Sequence, residues 1–282
     1  MKKPIRVILS LTFLIPALVS AAPPEIHCKH FFYGYPLGTP ETNDLIIRDI
    51  YALSSNDDRK FADWVAYRFD VDTVEGDAPM YRIWESDPWL DKDERLETRP
   101  DDYDGAYDAF GYERGYQAPQ ASFKGVFDRW ETMYYSNVTP RKSDLNQGPW
   151  KRLEERVRDL AANSVIYISG RDILYGCVYV MTGPLYENPM PQLPGADEPH
   201  TVPSGFWKIV AIQPEFGYAA ISVAGFIFDQ DAPADADVLD HLVTVDEIEE
   251  RSGLDFMREL PDDVEDEIER AKDKKWAAEW VK

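Results

Sequence analysis

Apolar and polar positions alternate most clearly between residues 61 and 69, where Phe61, Ala62, Trp64, Val65, Tyr67 and Phe69 are interleaved with charge. That pattern predicts a strand. Residues 44–53 and 60–69 read as two strands around the turn Ser54-Ser-Asn-Asp57. Tyr81-Arg-Ile-Trp84 predicts another short strand, and the acidic, turn-rich stretch 86–112 predicts a surface loop. Helical spacing appears at 125–134. It returns after Pro149, where Trp150, Leu153, Val157 and Leu160 form one stripe. The β-branched runs 164–169, 176–182, 206–213 and 217–228 predict the strands of a central sheet. Thr244-Val-Asp-Glu247 is a capping box that opens a helix closed by Gly253, and a second acidic helix is predicted from about 262 to 280. Strands, helix, strands, helix, with short connections, predict the α+β class: a mixed central sheet flanked by helices.

The first residues follow another pattern. Lys2, Lys3 and Arg6 precede an apolar run from Val7 to Val19, and Ser20-Ala21-Ala22 supplies small residues for cleavage. This predicts a signal peptide over residues 1–21, a single domain over 22–282, and a periplasmic or secreted protein. No later stretch is long and apolar enough to span a bilayer, so no membrane partner is expected. Export makes Cys28 and Cys177, the two cysteines of the chain, a candidate disulfide. Closing so long a loop is worth at most ~5 kcal/mol.

The formal net charge is −22, which by itself argues against a polyanionic ligand. Removal of the first 21 residues takes away three of the 30 Lys and Arg and none of the 52 Asp and Glu, so the imbalance grows. Between Glu113 and Arg158 the sign reverses, with nine Lys or Arg against six acids. That one segment can focus an anionic ligand. Within it, Asn146, Trp150, Glu154 and Arg158 fall at four-residue steps around the helix start at Pro149, with Asn146 just before the helix. An amide oxygen is a hard ligand suited to Mg²⁺, and a carboxylate beyond it can hold a metal-bound water. The same residue types equally suit a helix cap and a surface ion pair.

Two segments together resemble the DNA/RNA non-specific endonuclease family. The family's loop Asp-Arg-Gly-His-Gln-Ala-Pro is matched by Glu113-Arg-Gly-Tyr-Gln-Ala-Pro119, and its metal-binding Leu-Asn-Gln-Gly by Leu145-Asn-Gln-Gly148, with Asn146 thirty residues after Tyr116. Phe61-Ala-Asp-Trp-Val-Ala-Tyr67, Ser136-Asn-Val-Thr-Pro140, Thr182-Gly-Pro-Leu-Tyr-Glu187, Phe228-Asp-Gln230, Thr244-Val-Asp-Glu-Ile-Glu249 and Leu260-Pro-Asp-Asp-Val264 match as well. The resemblance implies a ββα-metal nuclease core and a Mg²⁺-dependent hydrolase, with Mn²⁺ as a substitute ion, that cuts DNA and RNA to 5′-phosphorylated products. It implies Asn146 as the direct metal ligand and Glu154 as the anchor of a metal-bound water. Arg82 would steady the scissile phosphate. Arg114 and Arg158 would position the charged backbone, Glu113 would stand in the loop's acidic place, and Asn137 would brace the loop at the substrate site. Monomer and homodimer remain equally open.

Tyr116 stands where the family carries the histidine that takes a proton from the attacking water. A free phenol has a pKa of ~10 and must already be ionised to serve as a base. Three readings stay open on sequence. Arg114 and the metal could lower the phenol's pKa; one of His27, His30, His200 or His241 could serve instead; or the site could bind metal and nucleic acid without cutting. The expectation is an active but slowed enzyme, and the alternative is a catalytically silent nucleic-acid-binding or interaction protein.

Overall fold

The computed structural model describes residues 24–92, 94, 96–163, 166–168, 171–173, 177–213 and 221–282. The expected signal peptide, residues 1–21, lies outside the described residues. Seven antiparallel strands form the central sheet in the order β1 (Asp44–Ile47), β2 (Ala52–Ser55), β3 (Ala62–Phe69), β8 (Val178–Leu185), β9 (Gly205–Ile212), β10 (Ser222–Asp229) and β11 (Leu242–Val243). A separate hairpin pairs β4 (Tyr112–Tyr116) with β5 (Val138–Lys142), and another pairs β6 (Ile166–Ile168) with β7 (Arg171–Ile173).

Successive side chains of a strand point to opposite faces, and here both faces are covered. Val65 and Tyr67 of β3, Phe206 and Val210 of β9, and Phe226 and Phe228 of β10 face one way. They pack under α4 (Pro149–Asn163) and α7 (Lys274–Trp280), through Trp150, Leu153, Val157, Ala277 and Trp280. Trp64 and Ala66, Trp207 and Ile209, and Val223 and Ile227 face the other way. There they meet Val245 and Ile248 of α5 (Val245–Ser252), beside α6 (Asp262–Glu269). Burial on both faces explains why these strands read as nearly unbroken apolar runs. A third cluster, including Phe61, Tyr103, Tyr135 and Val138, seats the β4–β5 hairpin against the edge of the molecule. No helix among the described residues is long and apolar enough to cross a membrane.

Several elements differ from their sequence reading. The run 44–53 is two short strands, turned where Arg48 N–H donates to the Tyr51 carbonyl, because the Arg48 side chain turns inward to pair with Asp87 and Glu131. The Ser54–Asp57 turn shifts forward: Ser54 and Ser55 are paired, and the Asn56 side chain accepts from the backbone of Asp58 and Arg59. Residues 81–84 form no strand; only Glu85 makes an isolated bridge, to Tyr134. Residues 127–133 are 3₁₀ rather than α, and the loop 86–112 holds the short helix α2 (Ala106–Phe110). The helix expected over 262–280 breaks after Glu269 and restarts as α7, where Asp273 caps Trp276 N–H at 2.8 Å. The cap of α5 is as expected, with Thr244 accepting from Glu247 N–H and Gly253 left-handed at φ 74°.

The Cys28–Cys177 disulfide is corrected. Both are free thiols. Arg68 donates to Cys177 Sγ, and Cys28 packs against the apolar cluster on the α5 face, where burial pushes its thiol pKa up and disfavours the reactive thiolate.

Candidate active site on the β4–β5 hairpin

Register places Glu113 opposite Arg141 and Tyr116 opposite Val138, and α3 (Ser143–Gln147) then folds back over β4. The result is hairpin plus helix, with α4 following after Gly148. Gly115 permits the close packing: a Cβ there would lie 2.9 Å from Arg141 Cβ and 3.0 Å from its Nη1, so any side chain would displace the arginine.

Glu113 organises α3. Its carboxylate accepts from Ser143 Oγ at 2.8 Å, Asn146 Nδ2 at 2.7 Å and Gln147 Nε2 at 2.7 Å. Burial opposes its ionisation, yet these three bonds hold its carboxyl below the usual glutamate range. With Nδ2 committed to Glu113, the amide of Asn146 is fixed and only its oxygen remains for other work. That oxygen accepts one bond, from Arg141 Nη1 at 3.2 Å, which leaves a second lone pair. Asn146 sits inside α3 rather than just before a helix as the spacing suggested. The four-residue stripe continues in α4: Trp150 Nε1–H donates to Glu154 Oε1 at 2.8 Å, and Arg158 follows one turn on.

Tyr116 is stacked on Trp84, rings 5.3 Å apart and 11° from parallel. Burial pushes its phenol up to about 12; Arg82 and Arg114 oppose the shift but are outweighed. Arg82 is exposed. Arg114 is already partnered, donating to Tyr135 Oη at 2.9 Å and the Pro100 carbonyl at 2.8 Å, with its guanidinium 5.4 Å from the Trp84 ring. Asn137 is fully buried. Its amide accepts from Ala118 N–H and donates to the carbonyls of Ala118 and Thr132, so it braces the loop and has no face left for substrate. The bracing role expected of it is met, and it acts on the substrate site through the loop rather than by contact.

The histidines are spoken for elsewhere. Burial takes His30 down to about 4, and its ring bonds the Arg48 carbonyl and Arg68 N–H. His200 is tied to Leu193 N–H and the Glu198 carbonyl, His241 to the Ile227 carbonyl, and His27 to Glu25.

Two residues that sequence reasoning did not place at the site lie beneath it. Arg141 is 1% exposed and donates to the Tyr116 carbonyl from both Nη1 and Nη2, at 3.3 and 3.2 Å, as well as to Asn146. Its guanidinium lies 4.3 Å from the Trp150 ring. Burial takes it down to about 10 despite Glu154. Lys208, wholly buried, has its Nζ 3.4 Å from Tyr67 Oη and 4.5 Å from the Trp150 ring. Burial, with Arg141 and Arg158, takes it down to about 7 against the pull of Glu154. The signal for Lys208 was a lone cation inside the apolar run Phe206-Trp-Lys-Ile-Val210.

The donor set fits a small hard cation. The oriented amide oxygen of Asn146 and the Glu154 carboxylate offer oxygens, while Glu113 already accepts from three donors, and Mg²⁺ accepts few protein ligands because it keeps its waters.

Comparison with known proteins places the chain in a family. A model of the DNA/RNA non-specific endonuclease family matches residues 31–263. The chain is 46% identical over 233 residues to a nuclease of Serratia marcescens, spanning 82% of this chain and 81% of that one. It is 28% identical over 252 residues to a nuclease of Nostoc sp., spanning 85% and 84%. A crystal structure of the EndoG/EndoGI complex superposes with a TM-score of 0.64 over 81% of this chain and 90% of that one, at 21% identity, which shows a shared fold. The chain belongs to the DNA/RNA non-specific endonuclease family and is an endonuclease of phosphodiester bonds.

Proposed function

We propose that this is an exported, Mg²⁺-dependent and sugar-non-specific endonuclease, its catalytic domain running from residue 22 to 282, that cuts DNA and RNA to 5′-phosphorylated ends more slowly than a histidine-bearing relative. The observation that carries the reading is the Glu113 carboxylate fixing the amide of Asn146 on α3, over the hairpin that also holds Arg114 and Tyr116. Asn146 Oδ1 would hold the cation directly and Glu154 would hold one of its waters. When bound, a divalent cation polarises the phosphate and stabilises the departing 3′ oxygen. Arg82, exposed beside Tyr116, steadies the scissile phosphate, and Arg114 and Arg158 guide the flanking backbone. Contacts of this kind read phosphate rather than base edges, which accounts for indifference to sequence.

Tyr116 is the slow part. In the metal-free site, with a pKa of about 12, only about one phenol in 10⁵ is ionised at neutral pH, fewer than for a free tyrosine. Its neutral hydroxyl orients the attacking water, and the proton leaves to solvent or hydroxide. Missing general-base catalysis costs roughly 10²- to 10⁴-fold.

Plasmid nicking with Mg²⁺ tests this. Wild-type activity should climb with pH through the alkaline range, Asn146→Ala should abolish it, and Tyr116→His should raise the neutral rate by orders of magnitude. Cutting that survives in Asn146→Ala, or a Tyr116→His protein no faster than wild type, sinks the assignment of these residues. No cutting by the wild type at any pH would leave the silent binder as the reading.

A further inference from the structure

Beyond the reacting groups, the end of β4 away from Tyr116 carries two exposed aromatic rings, one of which, Phe110, also packs on Tyr112 at 5.8 Å. Tyr107 and Phe110 of α2 are 60% and 39% exposed. With Lys142, Ser143, Asp144 and Asp231 they line a cleft of about 360 Å³. The cleft is wired to the site. Gly111, left-handed at φ 73°, joins α2 directly to β4, and its carbonyl accepts from Ser143 N–H at 2.8 Å. Ser143 Oγ in turn donates to Glu113, the residue that fixes Asn146.

The chemistry of the walls selects the occupant. Lys142 Nζ is paired with Asp231, so its charge is neutralised, and Asp144 adds a further carboxylate. A phosphate is repelled by such a rim. A neutral, flat ring bearing N–H donors is not: its faces meet Tyr107 and Phe110 and its edge donates to a carboxylate. We propose that the cleft between α2 and the β5–α3 junction receives an unpaired nucleobase of the substrate strand, next to the scissile phosphate. This rests on the reading above that the strand's backbone passes over Arg114 and Asn146. Bases within a duplex have their faces stacked and their N–H donors paired, so the cleft favours single-stranded or frayed nucleic acid. Base–aromatic stacking of this kind is tolerant of sequence.

The test is binding without hydrolysis. Fluorescence anisotropy in EDTA compares an unstructured single strand of about 12 nucleotides, within the span such grooves cover, with a blunt duplex of the same length. The double variant Tyr107→Ala/Phe110→Ala should bind the single strand about tenfold or more weaker, with duplex affinity changed less than twofold. Tyr107→Phe/Phe110→Tyr, which keeps both rings, should match the wild type. Circular dichroism should show both variants folded at the assay temperature, the alanine variant melting slightly lower because Phe110 also packs on Tyr112. The proposal is overturned if the wild type fails to bind the single strand, if the alanine variant matches it, or if single strand and duplex weaken together. Because the readout needs neither metal nor cleavage, an Asn146→Ala protein that still cuts would defeat the hydrolytic assignment and leave this result standing.

Discussion

On the α4 side of the central sheet the charged groups buried around Trp150 are cations, Arg141 and Lys208; on the α5–α6 side the buried Glu269 sits beside the half-buried Glu249. Each cation lies over the ring of Trp150, both feel Glu154, and each is tied to a residue of the site or its floor. The acids crowd together: one carboxylate oxygen from each of Asp246, Glu249 and Glu269 lies within 4.8 Å of the others, and burial with that mutual repulsion raises the carboxyls of Glu249 and Glu269. Like charges at this distance are relieved by retaining a proton. Around Trp150 the fold thus keeps buried positive charge beneath the site, while across the sheet burial and neighbouring carboxylates hold a proton on Glu269.

The sharpest way to break that contrast is Arg141→Met. Its two donors to the Tyr116 carbonyl and one to Asn146 join the loop that carries the tyrosine to the amide proposed to hold the metal. Losing them leaves that carbonyl without its arginine donors, at a cost of about 1–3 kcal/mol in stability. A misplacement of order 1 Å between reacting groups can cost about 10²-fold in rate. Denaturant melts and plasmid nicking should show both, with the turnover loss larger than any change in substrate affinity. A variant that cuts at the wild-type rate would reduce Arg141 to packing.

Lys208→Met probes the same side through pH. The folded lysine has a pKa of about 7 against 10.5 unfolded, so between these values the unfolded chain holds more protons and stability rises with pH. Below about pH 7 the buried ammonium is fully charged and the wild type is at its least favourable. Methionine removes the titrating group and keeps the volume. The slope between pH 7 and 10 should flatten and the protein should gain about 1–4 kcal/mol at neutral pH and below, as buried charges replaced by apolar groups often do. Thermal melts across that range decide it. An unchanged slope would show that Lys208 keeps its proton through hydrogen bonding.

Much of this layout was legible beforehand, for reasons that separate local from distant causes. The α4 stripe, the Thr244 cap and the four-residue spacing of Trp150, Glu154 and Arg158 are set by neighbours in sequence, whereas Glu113 and Asn146, 33 residues apart, were legible together only through the family resemblance. The phenol of Tyr116 is governed by Trp84, 32 residues away, whose stacking buries it. Residues 81–84 alternate like a strand yet have no sheet edge to join. Asp273 starts a new helix inside what the pattern reads as one. Lys208 looks like an interruption in a strand until Glu154 and Trp150 are seen beside it. The cysteine pair was inferred from number and compartment, neither of which carries any distance, and Arg68 holds one of the two thiols.

The far face gives the smallest effect and the opposite sign. Glu269 keeps its proton in the fold at pH values where the unfolded chain releases it. Stability contributed by that carboxyl is therefore fully present below the ordinary glutamate pKa, about 4.5, and is lost as pH rises into the alkaline range. Glu269→Gln makes the neutral form permanent, and its amide can donate to Glu249 in place of the shared proton. The variant should match the wild type near pH 4.5 and exceed it by about 1 kcal/mol at pH 8, on the scale of one relieved hydrogen bond. Nicking activity should not change, because α6 lies across the sheet from the hairpin. Combined with Lys208→Met, the two slopes should cancel independently, since the sites share no partner. If Glu269→Gln destabilises at pH 8 or slows cutting, the acids are tied to the active face, and the separation of charge by the sheet fails.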